Sequence, residues 1–202
     1  DAGLGDTLRL SALFTDITYL DAAGNRHSDQ QVFDEVLRLI GQAEQLVVLD
    51  MFLFNDFTGA DAAPSLRPLS AQLTQVLVER KRAVPSLQAL VITDPINTLY
   101  GGMPSKHLDA LRAAGVDVVV TDLTKLRAPN PAWSGLWHLC CRWAGNSDRG
   151  GWLPSPFGEG KAGLRSYLAL LNLNANHRKT LVVDEGDGWT GLVATANPHD
   201  GS

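Results

Sequence analysis

The run Leu46-Val47-Val48-Leu49-Asp50-Met51-Phe52-Leu53-Phe54 is apolar almost throughout. It is too short to cross a bilayer, and continuous apolarity over so few residues suits a strand covered on both faces. Ahead of it, across residues 28–43, Val32, Phe33, Val36, Leu37 and Ile40 form one stripe at helical spacing. Ser28 and Gln31 have capping-box spacing, and Gly41 stands near the expected stop. Behind the strand, residues 55–64 with Gly59, Asp61 and Pro64 read as a loop. Leu69, Leu73, Val76 and Leu77 then mark a second helix, ending in Arg80-Lys81-Arg82, a cationic cluster suited to a solvated helix C-terminus.

The unit repeats. Residues 87–93 read as another buried strand, broken at Asp94-Pro95; a helix follows over 105–114, stopped by Gly115, and then a strand over 116–121. Strands alternating with helices imply an α/β fold, here a mixed, largely parallel sheet flanked by helices as an α-β-α sandwich. The last two strands, 179–185 and 189–195, are joined through Gly186-Asp187-Gly188 and read as a hairpin.

With 202 residues and 21.8 kDa, the chain has the length of one domain, taken as 1–202. Hydrophobic residues at 45% and charged residues at 19% exclude wholesale disorder. Lys plus Arg is 17 against 22 Asp plus Glu, a formal charge of -5, which speaks against a generally basic nucleic-acid binder. The two cysteines, Cys140 and Cys141, are adjacent, so neither a disulfide framework nor a Cys-x-x-Cys zinc site exists. No metal or cofactor is expected. The chain opens at Asp1 without an initiator Met, which leaves room for a cleaved export signal or anchor ahead of it.

Between residues 122 and 165 the alternation fails, and this stretch reads as a Trp/Pro-rich insertion within the domain. It holds Trp133, Trp137, Trp143 and Trp152 among Pro129, Pro131, Pro154 and Pro156. On a helical wheel, Trp133, Leu136, Trp137, Cys140 and Trp143 share a broad apolar arc, with Ser134, His138 and Arg142 opposite. One reading is an interfacial helix whose indoles meet lipid head groups. The other is an aromatic helix packed against the rest of the protein.

The segment richest in chemistry is Asn176-His177-Arg178-Lys179-Thr180-Leu181-Val182-Val183-Asp184. On a strand, His177 and Lys179 project from one face, so imidazole and ammonium can converge on one ligand. Asp184, at an odd offset of seven from His177, points to the other face and reads as structural or orienting. An unprotonated imidazole beside a fixed cation suits attack at an anionic phosphorus centre, the Lys offsetting charge on the non-bridging oxygens. Asn197, at the end of the next strand, can add an amide donor, and Thr195 a hydroxyl.

His177-x-Lys179 with four residues before Asp184 resembles the signature of the phospholipase D superfamily. In that family a Gly-Ser-x-Asn element follows on the next strand. Its counterpart here is Ala194-Thr195-Ala196-Asn197, which keeps a hydroxyl and the Asn but has Ala in place of Gly. The order of elements up to residue 93, the run Asp94-Pro95-Ile96-Asn97-Thr98-Leu99-Tyr100-Gly101-Gly102 and Ala114-Gly115-Val116 look like the amino-terminal half of bacterial cardiolipin synthase-like members. This softer likeness covers most of the chain; only residues 177–197 are specific. The resemblance implies a half-domain that pairs with a second motif across a pseudo-twofold axis. One His forms a phosphohistidine and the other protonates the leaving alcohol; water or a second alcohol then resolves the intermediate, without metal.

The expected activity is therefore that of a phosphodiesterase or phosphatidyltransferase on phospholipid, membrane-associated or periplasmic in a bacterium. This chain carries one motif and ends at Ser202, five residues after Asn197. That favours a second half in a longer protein, with further core elements downstream, over a homodimer. The alternatives are a nuclease of the same superfamily active as a homodimer, which would want a basic surface, and a non-catalytic membrane-associated module of the same fold. Secondary site candidates are Asp94, Asn97 and Tyr100, in a loop at a strand's carboxyl end where α/β sites commonly lie, and His199. His27, His107 and the Arg80 cluster read as surface residues, His138 as a polar-face residue without a partner. Asn176 reads as a turn residue.

Overall fold

The structure is a computed structural model that describes residues 9–56, 67–123, 135, 139, 151, 153–154, 161–170 and 175–198. The whole stretch 124–134, all four insertion tryptophans, Cys140, Cys141, His138 and His199 therefore lie outside the described residues.

A hairpin of β1 (Asp16–Leu20) and β2 (Arg26–Gln30) leads into helix α1 (Gln31–Gln42). Then come β3 (Leu46–Met51), α2 (Leu69–Ala83), β4 (Gln88–Thr93), a single 3₁₀ turn at Pro95–Thr98, α3 (Lys106–Ala113) and β5 (Asp117–Val120). A two-residue pair, β6 (Leu153–Pro154) with β7 (Lys161–Ala162), and the short helix α4 (Leu164–Leu170) precede the terminal hairpin of β8 (Lys179–Glu185) and β9 (Gly188–Val193). The main sheet has the order β5-β4-β3-β8-β9.

The chain is mixed α/β, as its alternation of elements implies, but the expectation of a largely parallel sheet needs correcting. β3 pairs in parallel with β4, and β4 with β5, whereas β8 is antiparallel to both β3 and β9. The sheet is thus evenly mixed, because the terminal hairpin runs back alongside β3. Val47, Leu49 and Met51 of β3, Ala89 and Val91 of β4, and Leu181 and Val183 of β8 share one sheet face. They form one core with Phe33, Val36 and Ile40 of α1, Leu73 and Leu77 of α2, and Leu108 and Leu111 of α3. All three longer helices cover that face. Val119 and Val182, on the opposite face, are exposed.

The start of α1 also differs from the capping-box reading. Ser28 lies in β2, its hydroxyl 3.2 Å from that of Thr18 across the hairpin, and α1 begins at Gln31 without a side-chain cap. Instead the Val32 amide donates to Asp16 Oδ1 at 3.0 Å, so β1 supplies the acceptor that a cap would have given. Ser105 does cap α3, accepting from the Leu108 amide. The Arg80 cluster is not merely solvated. Arg80 donates to the carbonyls of Ala43 and Gln42, and Lys81 to those of Pro85 and Leu87, tying the end of α2 to the end of α1 and the start of β4.

Candidate functional site

β8 follows the alternation of its sequence. Lys179, Leu181 and Val183 turn toward the helices, and the register Met51↔Lys179 sets Lys179 at the carboxyl edge of β3. His177 and Arg178 lie just ahead of the strand rather than in it, with the Phe52 amide donating to the Arg178 carbonyl at 3.0 Å. His177 is exposed while Lys179 is only 4% exposed.

Imidazole and ammonium meet. Lys179 Nζ is 3.2 Å from His177 Nδ1 and 3.1 Å from Nε2, and 3.2 Å from the His177 carbonyl oxygen to which it donates. Near-equal distances to both ring nitrogens set the ammonium over the imidazole face, not along either lone pair. Phe52, absent from the sequence-based candidates, completes the corner: its ring centroid lies 4.9 Å from that of His177 and 5.4 Å from Lys179 Nζ. Its signal was available, since residue 52 lies in the same apolar run that defines β3.

Among the described residues no carboxylate lies within ion-pair distance of Lys179. Burial pushes its pKa down. A buried ammonium without a carboxylate destabilises the fold in proportion to its lost hydration. Lys179→Met keeps the stem and removes the charge, so at pH 7 it should leave stability unchanged or raise it by about 1 kcal/mol. Because the folded-state pKa is depressed, the native Lys regains stability as pH rises through that pKa, and the advantage of Met should shrink there. Urea denaturation at several pH values measures both. A loss of stability at pH 7 would show the ammonium to be satisfied already.

Asp184 faces away from the corner. Its Oδ2 accepts from the Glu44 amide at 2.8 Å, and its Oδ1 from the amides of Gln45 at 2.9 Å and Leu46 at 2.8 Å. Burial pushes its pKa up, but the three amide donors together outweigh this and hold it below the ordinary value. It fastens β8 to the turn between α1 and β3.

Asn197 stands beside the corner without a hydrogen bond to either residue. Its Oδ1 accepts from the Leu53 amide at 3.2 Å, which leaves its NH₂ as the group on offer. Asn197 and exposed Thr195 line a cleft of about 740 Å³ with Phe33, Leu53, Arg26 and Arg67, a volume typical of small-molecule sites. His177 and Lys179 do not line that cleft.

Asn97, Asp94 and Tyr100 stand behind the corner. Asn97 is 1% exposed and its carboxamide is engaged with the Phe52 carbonyl, Thr93, the Asp94 carbonyl, the Phe54 amide and Asn55, making it part of the scaffold. Asp94 is also 1% exposed and accepts from the amides of Ile96 and Asn176. Burial, with the Asp94 charge added, pushes the Tyr100 phenol up to about 12. His107 is a correction: it is 6% exposed, its Nδ1 3.1 Å from Thr74 Oγ1 and its ring edge-on to Phe54. Two residues past the cap at Ser105, α3 turns that position inward. His27 is exposed, its Nε2 3.0 Å from Asp21 Oδ2.

Among the described residues no group of three His, Cys, Asp or Glu is placed to hold a metal ion. No helix among them is long and apolar enough to cross a membrane. No protein-family description matches the chain, and neither does any curated protein.

Proposed function

We propose that this chain is one half of a phospholipase D-type phosphodiesterase or phosphatidyltransferase, with His177 as the nucleophile. The observation that carries the reading is a buried ammonium, free of carboxylates among the described residues, held over an exposed imidazole. A phosphodiester is the anion that suits both groups. Its charge compensates Lys179 and its phosphorus lies within reach of the ring. Asn197 offers a second donor to the non-bridging oxygens from the neighbouring strand.

In the reaction a His177 ring nitrogen bonds to phosphorus as the bond to the leaving alcohol breaks. The departing oxygen takes a proton from a second imidazole, because one ring cannot be unprotonated nucleophile and protonated acid in the same step. Water or an acceptor alcohol then attacks the phosphohistidine and frees His177. The second imidazole comes from a partner half, in the same polypeptide or in a second copy. Among the described residues the other histidines do not serve, His27 lying against Asp21 and His107 being engaged among the helices. The net negative charge favours lipid over DNA as the phosphodiester.

Two measurements test this. The chain as a monomer should show negligible turnover of phosphatidylglycerol or a bis-nitrophenyl phosphodiester. The assembled two-motif protein, quenched in base with labelled substrate, should carry acid-labile phosphate on the peptide containing His177. Robust turnover by the monomer defeats the half-site claim. Label confined to other peptides defeats the nucleophile assignment.

A further inference from the structure

His177 makes its ring contacts to Lys179 and Phe52, so its place is set largely by the backbone on either side. On one side the Phe52 amide holds the Arg178 carbonyl. On the other side Asn176 is tied to three strands. Its amide donates to Asp94 Oδ2 at 2.8 Å, at the end of β4. Its carboxamide donates to Asp50 Oδ1 at 2.9 Å, on β3, and to Thr121 Oγ1 at 3.3 Å, just past β5. Asp94 closes the arrangement by accepting from the Ile96 amide through Oδ1 at 2.9 Å.

We propose that Asp94 is a positioning residue for His177, its ionised carboxylate clamping the Asn176 amide and so holding the imidazole over Lys179. The clamp rests on the phosphodiesterase reading only for its effect on turnover; the geometry it fixes is independent of that reading. Two N–H donors face two oxygens of one carboxylate. A carboxylate accepts both without conflict. A protonated carboxyl, or a carboxamide, turns a donor toward one of them, and that hydrogen bond is lost.

The clamp is therefore sensitive to acid. Burial pushes the Asp94 pKa up, against the pull of its two amide donors. Among the described residues the titratable neighbours are few. Tyr100, on the 3₁₀ side, stays neutral through the acid range. Asp50, reached through Asn176, is itself pushed up by burial and opposed by Asn176 and by Arg178, whose Nη1 is 3.9 Å from Asp50 Oδ2. Because the folded-state pKa of Asp94 is raised above 3.8, its contribution to stability is full below 3.8 and is lost as pH rises through the folded value. Protonating Asp94 thus releases the His177 loop while favouring the folded state. Protonation of Asp94 is therefore not itself a cause of unfolding.

The test uses the full chain, labelled with ¹⁵N and ¹³C and titrated downward from pH 7 by NMR. The Asn176 and Ile96 amide protons should move together with a midpoint above 3.8, and contacts between the His177 and Phe52 rings should fade with the same midpoint. Ring contacts that persist while both amides titrate overturn the clamp, and so do amides that titrate separately. Asp94→Asn should lose the ring contacts at pH 7, whereas Asp50→Asn, which keeps an oxygen acceptor for the Asn176 carboxamide, should retain them. In the assembled protein Asp94→Asn should lower kcat on the order of 10²-fold with little change in KM. A displaced ring with unaltered kcat leaves the clamp standing and defeats the catalytic reading. A ring that stays in place in Asp94→Asn defeats the clamp whatever the activity.

Discussion

On the proposed phosphodiesterase reading, replacing His177 by Ala in a protein that joins this chain to its second motif is expected to lower phosphodiester turnover on the order of 10⁴-fold or more, the scale seen when a nucleophile is deleted. The argument is chemical. Without the ring no covalent intermediate forms, and water would have to attack phosphorus directly beside a site shaped for an imidazole. Folding should be nearly unaffected, because His177 is exposed and its backbone partners remain. His177→Asn should behave alike, since a carboxamide neither attacks nor carries a proton. Steady-state kinetics with phosphatidylglycerol, run alongside a denaturation curve, separate the two effects. Unchanged turnover in a folded variant would remove His177 from catalysis.

Asp184→Ala should act in the opposite way, costing about 3 kcal/mol of stability. Three amides, of Glu44, Gln45 and Leu46, lose their acceptor together. Each hydrogen bond to a charged group is worth roughly 1.5–3 kcal/mol, and partial access to water at this turn recovers some of the sum. Asp184→Asn should lose less, because its oxygen still accepts from two of the three. The pH dependence has a definite sign. A carboxylate whose folded pKa lies below its unfolded 3.8 stabilises above that value and loses its contribution as pH falls through the folded pKa. The stability gap between wild type and Asp184→Ala should therefore be full at pH 6 and narrow below pH 3.8. Urea titrations at both ends measure it, and a gap below 1 kcal/mol at pH 6 would show the amides to be satisfied by other means.

These two residues illustrate what the sequence discloses. Alternation along 179–184 was enough to set Lys179 and Asp184 on opposite faces, since the period of a strand needs no tertiary information, whereas His177 lies ahead of β8 and meets Lys179 from outside that period. The apolar runs of β3 and β4 were legible for the same local reason. The exposed hairpin β1–β2 was not: every residue except Gln30 is exposed, so no buried stripe marks it. Ser28 consequently read as a cap when it belongs to a cross-strand pair. The clamp was beyond reach as well. Asn176 meets Asp94 and Asp50 across 82 and 126 residues of sequence, and nothing local announces such partners. Asp50 alone left a trace, as the one charged residue inside an apolar strand.

The opposed directions of Lys179 and Asp184 impose a rule of parity on this strand. Inserting or deleting a single residue between them would turn both side chains to the same side, so that one must abandon either the corner at His177 or the α1–β3 turn. Two added residues would restore the alternation and lengthen the strand by one pleat. Length variation inside this segment should thus be tolerated only in even steps, a constraint that random-insertion libraries can read without any assay of chemistry.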